Sequence, residues 1–353
     1  MSRLNRRKPP TLSDVAATVG VAPMTVSRVI NGNGYVSEGT REKVLDAVKK
    51  MHYRRNGLAR NLKRQRTDTV GLVIGDISNP FSTELANAVR ESLSFRGYNL
   101  FICISEHSAK EDISAFESLV DHNVEGIIVA TRSNRDGDAR LNEIADNGVP
   151  IVVVGRDFRH GSVDSIAADN FTGGFEATQH LIDLGHKRIA FIGAAFENRS
   201  SLKRLQGYLK ALADHGIPVD ERLITGRKES ASDVPGYSTE SIGYEGMKRL
   251  LSLPNPPTAV FARNDFTAMG AISAAKEAGL SIPQEIAVIG FDDTPMALHT
   301  TPPLTTVRQP MKVQGQLAAE LLIRRISGNE EIQTETRVLD CELIIRESTV
   351  TNN

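Results

Sequence analysis

The sequence is short of the features that mark several protein classes. Two cysteines, Cys103 and Cys341, are too few and too far apart for a disulfide framework. Both lie in apolar, strand-like runs and read as buried thiols of a reducing cytosol. No apolar run approaches the roughly 18 residues of a membrane span, and the first ten residues are polar and basic rather than an export signal. The expectation is a cytoplasmic chain with no membrane contact, for which the sequon-like Asn198-Arg199-Ser200 is coincidence. GxSxG, HExxH, the phosphate-binding GxxxxGK[ST] and GxGxxG are all missing, and the eight histidines show no metal-ligand spacing. Neither an enzyme, a metal nor a cofactor is expected. The total charge is also close to nil, with 42 Lys+Arg against 43 Asp+Glu.

That neutrality hides an asymmetry. Residues 1–66 hold 15 basic against 4 acidic side chains, a net of +11, and the remainder 27 against 39, a net of −12. A basic head on an acidic body is the footprint of a phosphate-binding module. The basic residues are interleaved with capped helices. Thr11 can cap a first helix, with Asp14 reaching back to the freed amides, and Leu12, Val15, Ala16 and Val19 recur at helical spacing up to Gly20. Pro23 opens a second helix through Ile30. Ser37 or Thr40 opens a third, in which Val44, Leu45, Val48 and Met51 are expected to close a small core. Two short helices about a glycine turn form a helix-turn-helix, whose second helix enters the DNA major groove.

In that second helix, Pro23, Met24 and Arg28 should face base edges. Arg28 can set a bidentate fork on guanine, and Pro23 and Met24 offer apolar contact to a thymine methyl. Thr11, Thr25, Ser27, Asn31 and Thr40 are short polar groups suited to phosphates, with local helix bonding the plainer reading for Thr25 and Ser27. Residues 1–10 add Arg3, Arg6, Arg7 and Lys8. From Arg54 to Arg66 only Leu58 and Leu62 are large and apolar, four apart on one helical face. A segment this short is marginal alone, and its folding is expected only beside a second copy and DNA.

The runs Thr11-Leu12-Ser13-Asp14-Val15-Ala16, Thr25-Val26-Ser27-Arg28-Val29-Ile30-Asn31 and Thr40-Arg41-Glu42-Lys43-Val44 resemble the headpiece of lactose-repressor-family regulators. Asn56-Gly57-Leu58-Ala59-Arg60-Asn61-Leu62 resembles that family's hinge helix, and the likeness continues to about Arg346. The resemblance implies that Asn56, Ala59 and Leu62 contact the operator, with Leu62 wedged into the minor groove. Two departures stand out. Ala22 replaces a frequent serine cap, and Arg55 the proline before the hinge asparagine.

Beyond residue 66, apolar runs alternate with amphipathic segments. Val70 to Ile74, Leu100 to Ile104, Gly126 to Val129 and Ile151 to Val154 read as buried parallel strands, and the alternation restarts after Ser162. The fold class expected is α/β: an N-terminal helix-turn-helix headpiece (1–53), a hinge helix and linker (54–66), and a two-lobed periplasmic-binding-protein-like body of doubly wound parallel sheets (67–349). The first lobe is set at 67–161 and 292–322, the second at 162–291 and 323–349. The run Pro302 to Pro310 resembles the family's crossover to the first lobe.

In such sheets ligands sit beyond the carboxyl ends of the strands. Loops there carry Asp76 to Phe81, Asp169-Asn170, Asn264-Asp265 and Asp292-Asp293, with Arg204 on a following helix. Carboxylates, amides, one arginine and one aromatic suit a polyhydroxylated ligand. Resemblance adds Arg204 and Asp265 as effector grips, with Phe81, Asn170 and Asn198 as weaker transfers. Asp169, Asn170 and Asp292 are equally apt to cap helices, and Arg156 to hold a lobe or subunit salt bridge. The polar stretch 226–241, with Tyr237, could shape the pocket entrance.

The function expected is a DNA-binding transcriptional regulator, most simply a repressor, controlled by a sugar or sugar acid between the lobes; a purine or a phosphorylated partner protein is the other effector class. A homodimer is expected, because two headpieces match a pseudo-palindromic operator and no leucine heptad supports a coiled-coil tetramer. The competing reading is a sugar-binding protein of the transport type.

Overall fold

The structure, a computed structural model, describes residues 10–53, 66–106, 108–132, 135–158, 161–193, 199–226, 239–328 and 333–350. The expected hinge contacts Asn56, Ala59 and Leu62, the basic arm 1–9, Asn198 and residues 227–238 of the polar loop lie outside the described residues. The chain divides into two compact units, Met1–Arg66 and Thr67–Asn353.

The first unit packs α1 (Leu12–Val19), α2 (Pro23–Asn31) and α3 (Glu38–Lys50) around Val15, Ala16, Val26, Val29, Val44 and Ala47. Thr11 and Asp14 form the reciprocal cap. The Asp14 amide donates to the Thr11 hydroxyl at 3.3 Å, and the Thr11 amide donates to the Asp14 carboxylate at 2.7 Å. Those contacts hold the Asp14 carboxyl below its usual range. Gly20 ends α1 at φ +76°, and Pro23 begins α2 with no side-chain cap from Ala22. One expectation needs correction: Leu45 is 50% exposed. Val44, Ala47, Val48 and Met51 follow the i, i+3, i+4, i+7 stripe that meets the other helices, and Leu45 falls about 100° off it.

The second unit is built on two six-stranded sheets. The first part of the chain runs β1 (Thr69–Ile74), α4 (Pro80–Ser94), β2 (Asn99–Ile104), α5 (Ala109–Asp121), β3 (Ile127–Ala130), α6 (Arg135–Asp146), β4 (Ile151–Val154) and β5 (Val163–Ala168). It continues with α7 (Asn170–Asp183), β6 (Ile189–Ile192), α8 (Arg199–Asp214), β7 (Ile224–Thr225), α9 (Thr239–Leu251), β8 (Ala259–Ala262), α10 (Asp265–Glu277) and β9 (Ala287–Asp292). Last come β10 (Thr305–Arg308), α11 (Met311–Ser327), β11 (Thr336–Leu339) and β12 (Glu342–Ile344). The sheet orders are β11-β5-β4-β3-β1-β2 and β12-β10-β9-β8-β6-β7, parallel throughout except where β12 pairs antiparallel with β10. Each sheet is covered on both faces: Leu72, Ile128 and Leu322 pack on one side of the first and Val73, Phe116 and Ile144 on the other. Doubly covered strands explain the continuous apolar runs of the sequence.

The expected lobe boundaries shift. Residues 163–168, expected in the second lobe, belong to the first sheet, where β5 lies between β4 and β11. Residues 305–308, read as crossover to the first lobe, are β10 of the second sheet, paired with β9. The chain ends in two strands, of which β11 returns to β5 and β12 to β10. The chain thus passes between the lobes three times, at 169, 309–310 and 340–341, which are the strand ends facing the cleft. β2, expected to be buried, is the sheet edge, with Phe101, Ile102 and Ile104 exposed. No described helix is long and apolar enough to cross a membrane, and no described cluster of His, Cys, Asp and Glu could hold a metal ion.

Candidate functional site

On the headpiece, α2 buries Val26 and Val29 and presents Pro23, Met24, Arg28 and Asn31 outward. Met24, Arg28 and Asn31 stand at i, i+4 and i+7 on one face, and Met24 is 64% exposed. An apolar side chain so exposed contributes little to the core and is available for contact. The Arg28 stem lies beside Gly34, where a Cβ would stand 3.5 Å from it. Asn31 Nδ2 donates to the Ser27 carbonyl at 2.7 Å and to its hydroxyl at 3.0 Å, so Ser27 is engaged within its helix. The Ser37 hydroxyl donates to that of Thr40 at 2.9 Å, which sets Thr40 on the first turn of α3. Thr25 is half-buried beside Pro23. The structure therefore brings Pro23, Met24, Arg28 and Asn31 together, with Thr11 and Thr40 at neighbouring helix starts.

In the body, a cleft of about 130 Å³ opens where the carboxyl ends of the two sheets face each other. The first lobe supplies Asn79, Phe81 and Ser82 at the start of α4, Thr131 and Arg132 after β3, and Gly155 and Arg156 after β4. The second supplies Arg199 to Ser201 and Arg204 from α8, Arg263 and Asn264 after β8, and Asp292 at the end of β9; Gln309 enters from the crossover. The lobes touch across it: the Ser200 hydroxyl donates to the Gly155 carbonyl at 2.6 Å, Arg199 donates to the Asp157 carbonyl at 3.3 Å, and Lys203 pairs with the Asp157 carboxylate.

Arg204 is the centre of this wall. Its Nε donates to Asn170 Oδ1 at 2.7 Å, one Nη donates to the Arg263 carbonyl and lies 3.6 Å from Asp292, and its guanidinium stacks 3.6 Å over the Phe291 ring centroid. Burial weakens its hold on its proton, and Asp292 opposes that. Burial raises the Asp292 carboxyl, against the pull of Arg204, Gln309 and Arg263. Asp292 also holds φ +117°, a conformation that costs a non-glycine residue about 1–3 kcal/mol. Burial, then the charges of Arg132 and Arg204, push Arg263 down to about 9, still cationic at neutral pH. Arg156 is paired within its own lobe, to Asp138 at 2.6 and 3.3 Å. Fixed forks, amides, hydroxyls and the Phe81 ring can pair the many donors and acceptors of a polyhydroxylated molecule while offering an apolar face.

Residues 11–56 match the family of bacterial regulatory proteins called lacI, and residues 178–349 match a periplasmic binding protein-like domain. The HTH-type transcriptional regulator DegA of Bacillus subtilis (strain 168) is 38% identical over 340 residues, 96% of this chain and 98% of its own. This chain belongs to the lacI family. Among solved structures, the transcriptional regulator CelR in complex with cellobiose is 34% identical, covering 96% of this chain and 99% of its own with a TM-score of 0.69. The lac repressor dimer bound to operator and the anti-inducer ONPF is 27% identical, covering 98% and 100% with a TM-score of 0.81. This lacI-family member is a DNA-binding transcriptional regulator with a helix-turn-helix headpiece and a two-sheet α/β body; the transport-protein reading finds no support.

In this regulator, the expected effector residues do not all meet. Phe81 and Arg204 line the cleft. Asn170 accepts from Arg204 and does not line the cleft; it borders a neighbouring pocket of about 560 Å³ that shares Arg156, Arg199 and Ser200 with it. Asp265 is a correction: it does not line the cleft. Asn264 caps α10, accepting from the Thr267 amide at 3.0 Å, and the helical turn then sends Asp265 inward. There its carboxylate accepts from the Thr294 amide at 2.7 Å, the Thr294 hydroxyl at 3.0 Å and the Thr306 hydroxyl. Gly290 makes the room, since a Cβ there would meet Asp265 at 2.4 Å. Asp292, weighed as a helix cap, is the cleft carboxylate instead, while Asp169 does cap α7, accepting from the Thr172 amide at 3.0 Å. Arg263, Arg132, Thr131, Gln309 and Ser82 were missed. Arg132 and Arg263 each follow a short apolar strand run by one or two residues, and that position was the available signal.

Proposed function

We propose that this regulator is a repressor whose operator affinity is set by a carbohydrate effector bound between the two lobes. The observation that carries the reading is the cleft at the facing strand ends, with the Arg204–Asp292 pair at its centre and Phe81 on the opposite wall. Arg204, Asp292 and Asn264 would grip hydroxyls, Phe81 would cover a sugar face, and Asn170 and Asp265 would hold Arg204 and the β9 strand end in place. CelR is described with cellobiose, which supports the ligand class. On DNA, Arg28, Met24 and Pro23 would meet base edges, and Thr11, Thr25, Ser27, Asn31 and Thr40 the phosphates or their supports. Asn56, Ala59 and Leu62 would complete the hinge contact, and Asn198 would reach the effector, both by resemblance alone.

A cytoplasmic homodimer fits this reading. The bare edge strand β2 shows Phe101, Ile102 and Ile104, between 43% and 46% exposed, and Phe95 nearby is 94% exposed. An apolar sheet edge of this kind is a pairing surface. By linkage, the effector moves operator affinity only by its unequal affinity for the two states of the protein. The test is a thermal-shift panel of neutral sugars, sugar acids, sugar phosphates and purines. A ligand at about 100 times its Kd should stabilise the fold by about 2.7 kcal/mol. The expected hit is a carbohydrate, is lost in Arg204→Ala, and changes retention of a twofold-symmetric DNA selected by the protein. A response to purines alone, or to nothing, removes the carbohydrate cleft.

A further inference from the structure

We infer that the effector carries an oxyanion, a carboxylate or phosphate on its polyhydroxylated skeleton, and that Arg263 is the residue that receives it. The inference rests on the reading of the cleft as the effector site and names the charge of what occupies it.

Arg263 is 5% exposed and lines the cleft, yet among the described residues its guanidinium has no hydrogen-bond or ion-pair partner. Every other buried arginine of the wall is answered. Arg156 has Asp138, and Arg204 has Asn170 and Asp292. Asp292 acts on Arg263 only at longer range, and the other charges that act on it, Arg132 and Arg204, have the same sign. The wall as a whole sets five guanidiniums, those of Arg132, Arg156, Arg199, Arg204 and Arg263, against the single carboxylate of Asp292. A guanidinium withdrawn from water without a paired counter-charge is destabilising, and burial first, then the charges of Arg132 and Arg204, already loosen its proton.

The fold nonetheless prepares the position. Gly193 holds φ +100° directly beneath the Arg263 stem, where a Cβ would lie 2.5 Å from the stem carbon. Glycine at that point leaves the room that the arginine stem occupies. A sugar hydroxyl could accept from Arg263 but would leave its charge uncompensated. A carboxylate or phosphate answers both the charge and the planar fork, in the bidentate geometry that arginine favours. Asp292 and Asn264 then stand beside it for the hydroxyls.

The test is calorimetric titration of the full chain, at fixed ionic strength, with matched probes: D-glucose, D-glucuronate and glucose 6-phosphate, then D-galactose, D-galacturonate and galactose 6-phosphate, with D-gluconate added. An acidic member should bind about 10-fold or more tightly than its neutral counterpart. Preference for the uronate or for the phosphate ester then identifies the source of the anion. Arg263→Met should erase the advantage and Arg263→Lys keep part of it. The comparison within the unaltered protein stands even if a variant folds poorly. Neutral sugars binding as tightly as their acids, or an acid preference surviving Arg263→Met, overturns the inference while leaving a carbohydrate cleft intact. No response to any probe overturns both.

Discussion

Asp265 is a carboxylic acid sealed from water beneath a cleft it does not enter. Burial, then the charge of Asp292, raises its pKa well above the carboxylate range, and the hydrogen bonds from Thr306 and Thr294 only partly offset this. A folded-state pKa above the unfolded one means that the unfolded chain ionises first as pH rises. Its contribution is therefore fully present below about pH 4 and is lost progressively as pH climbs through neutrality. Asp265→Asn should remove that dependence. In urea denaturation at several pH values, the stability of the natural protein relative to this variant should fall from pH 4 toward pH 8. A constant difference would show that Asp265 is ionised in the native state. The residue also shows where sequence reading fails: Asn264 and Asp265 are adjacent and chemically alike, and only the helical turn between them decides which one meets the cleft.

At the scale of elements, the position of Arg204 depends on how closely two helices approach. A Cβ on Gly174 of α7 would lie 2.4 Å from the Arg204 carbonyl, and one on Gly207 of α8 would lie 2.2 Å from the Phe171 carbonyl. Backbone atoms cannot yield as a side-chain tip can. Gly174→Ala should push α8 outward, destabilise the body by about 1–3 kcal/mol, and move Arg204 away from Asp292. Denaturation and effector titration on the same sample check this, with lost affinity expected beyond what instability explains. An unchanged affinity would mean that Arg204 tolerates a shifted helix. The glycines were visible in the sequence, but their partners lie some thirty residues away and were not.

For the whole molecule, the charge division matters most. A head of net +11 and a body of net −12 concentrate cation where DNA binds and give the rest of the protein the sign that DNA repels. Operator affinity should therefore fall linearly on a log–log plot against salt, by about 10³–10⁵ between 50 and 200 mM if six to ten phosphates are neutralised. Anisotropy of labelled operator across a salt series measures the slope. An affinity indifferent to salt would contradict a phosphate-anchored headpiece.

From residues alone came whatever is local or periodic: the Thr11–Asp14 cap, the outward face of α2, the alternation of apolar strands and amphipathic helices, the charge division and the family. Each is set by contacts within a few positions, or by patterns that repeat. Only the tertiary structure decided that β5 belongs to the first sheet, that the chain crosses between lobes three times, and that β2 is an edge rather than a core strand. Those outcomes depend on which strand pairs with which, and apolar runs of similar length do not encode that. The cleft was decided in the same way. Arg263, Arg132 and Gln309 come from three separate strand ends, and no spacing in the chain reports that folding brings them to one wall.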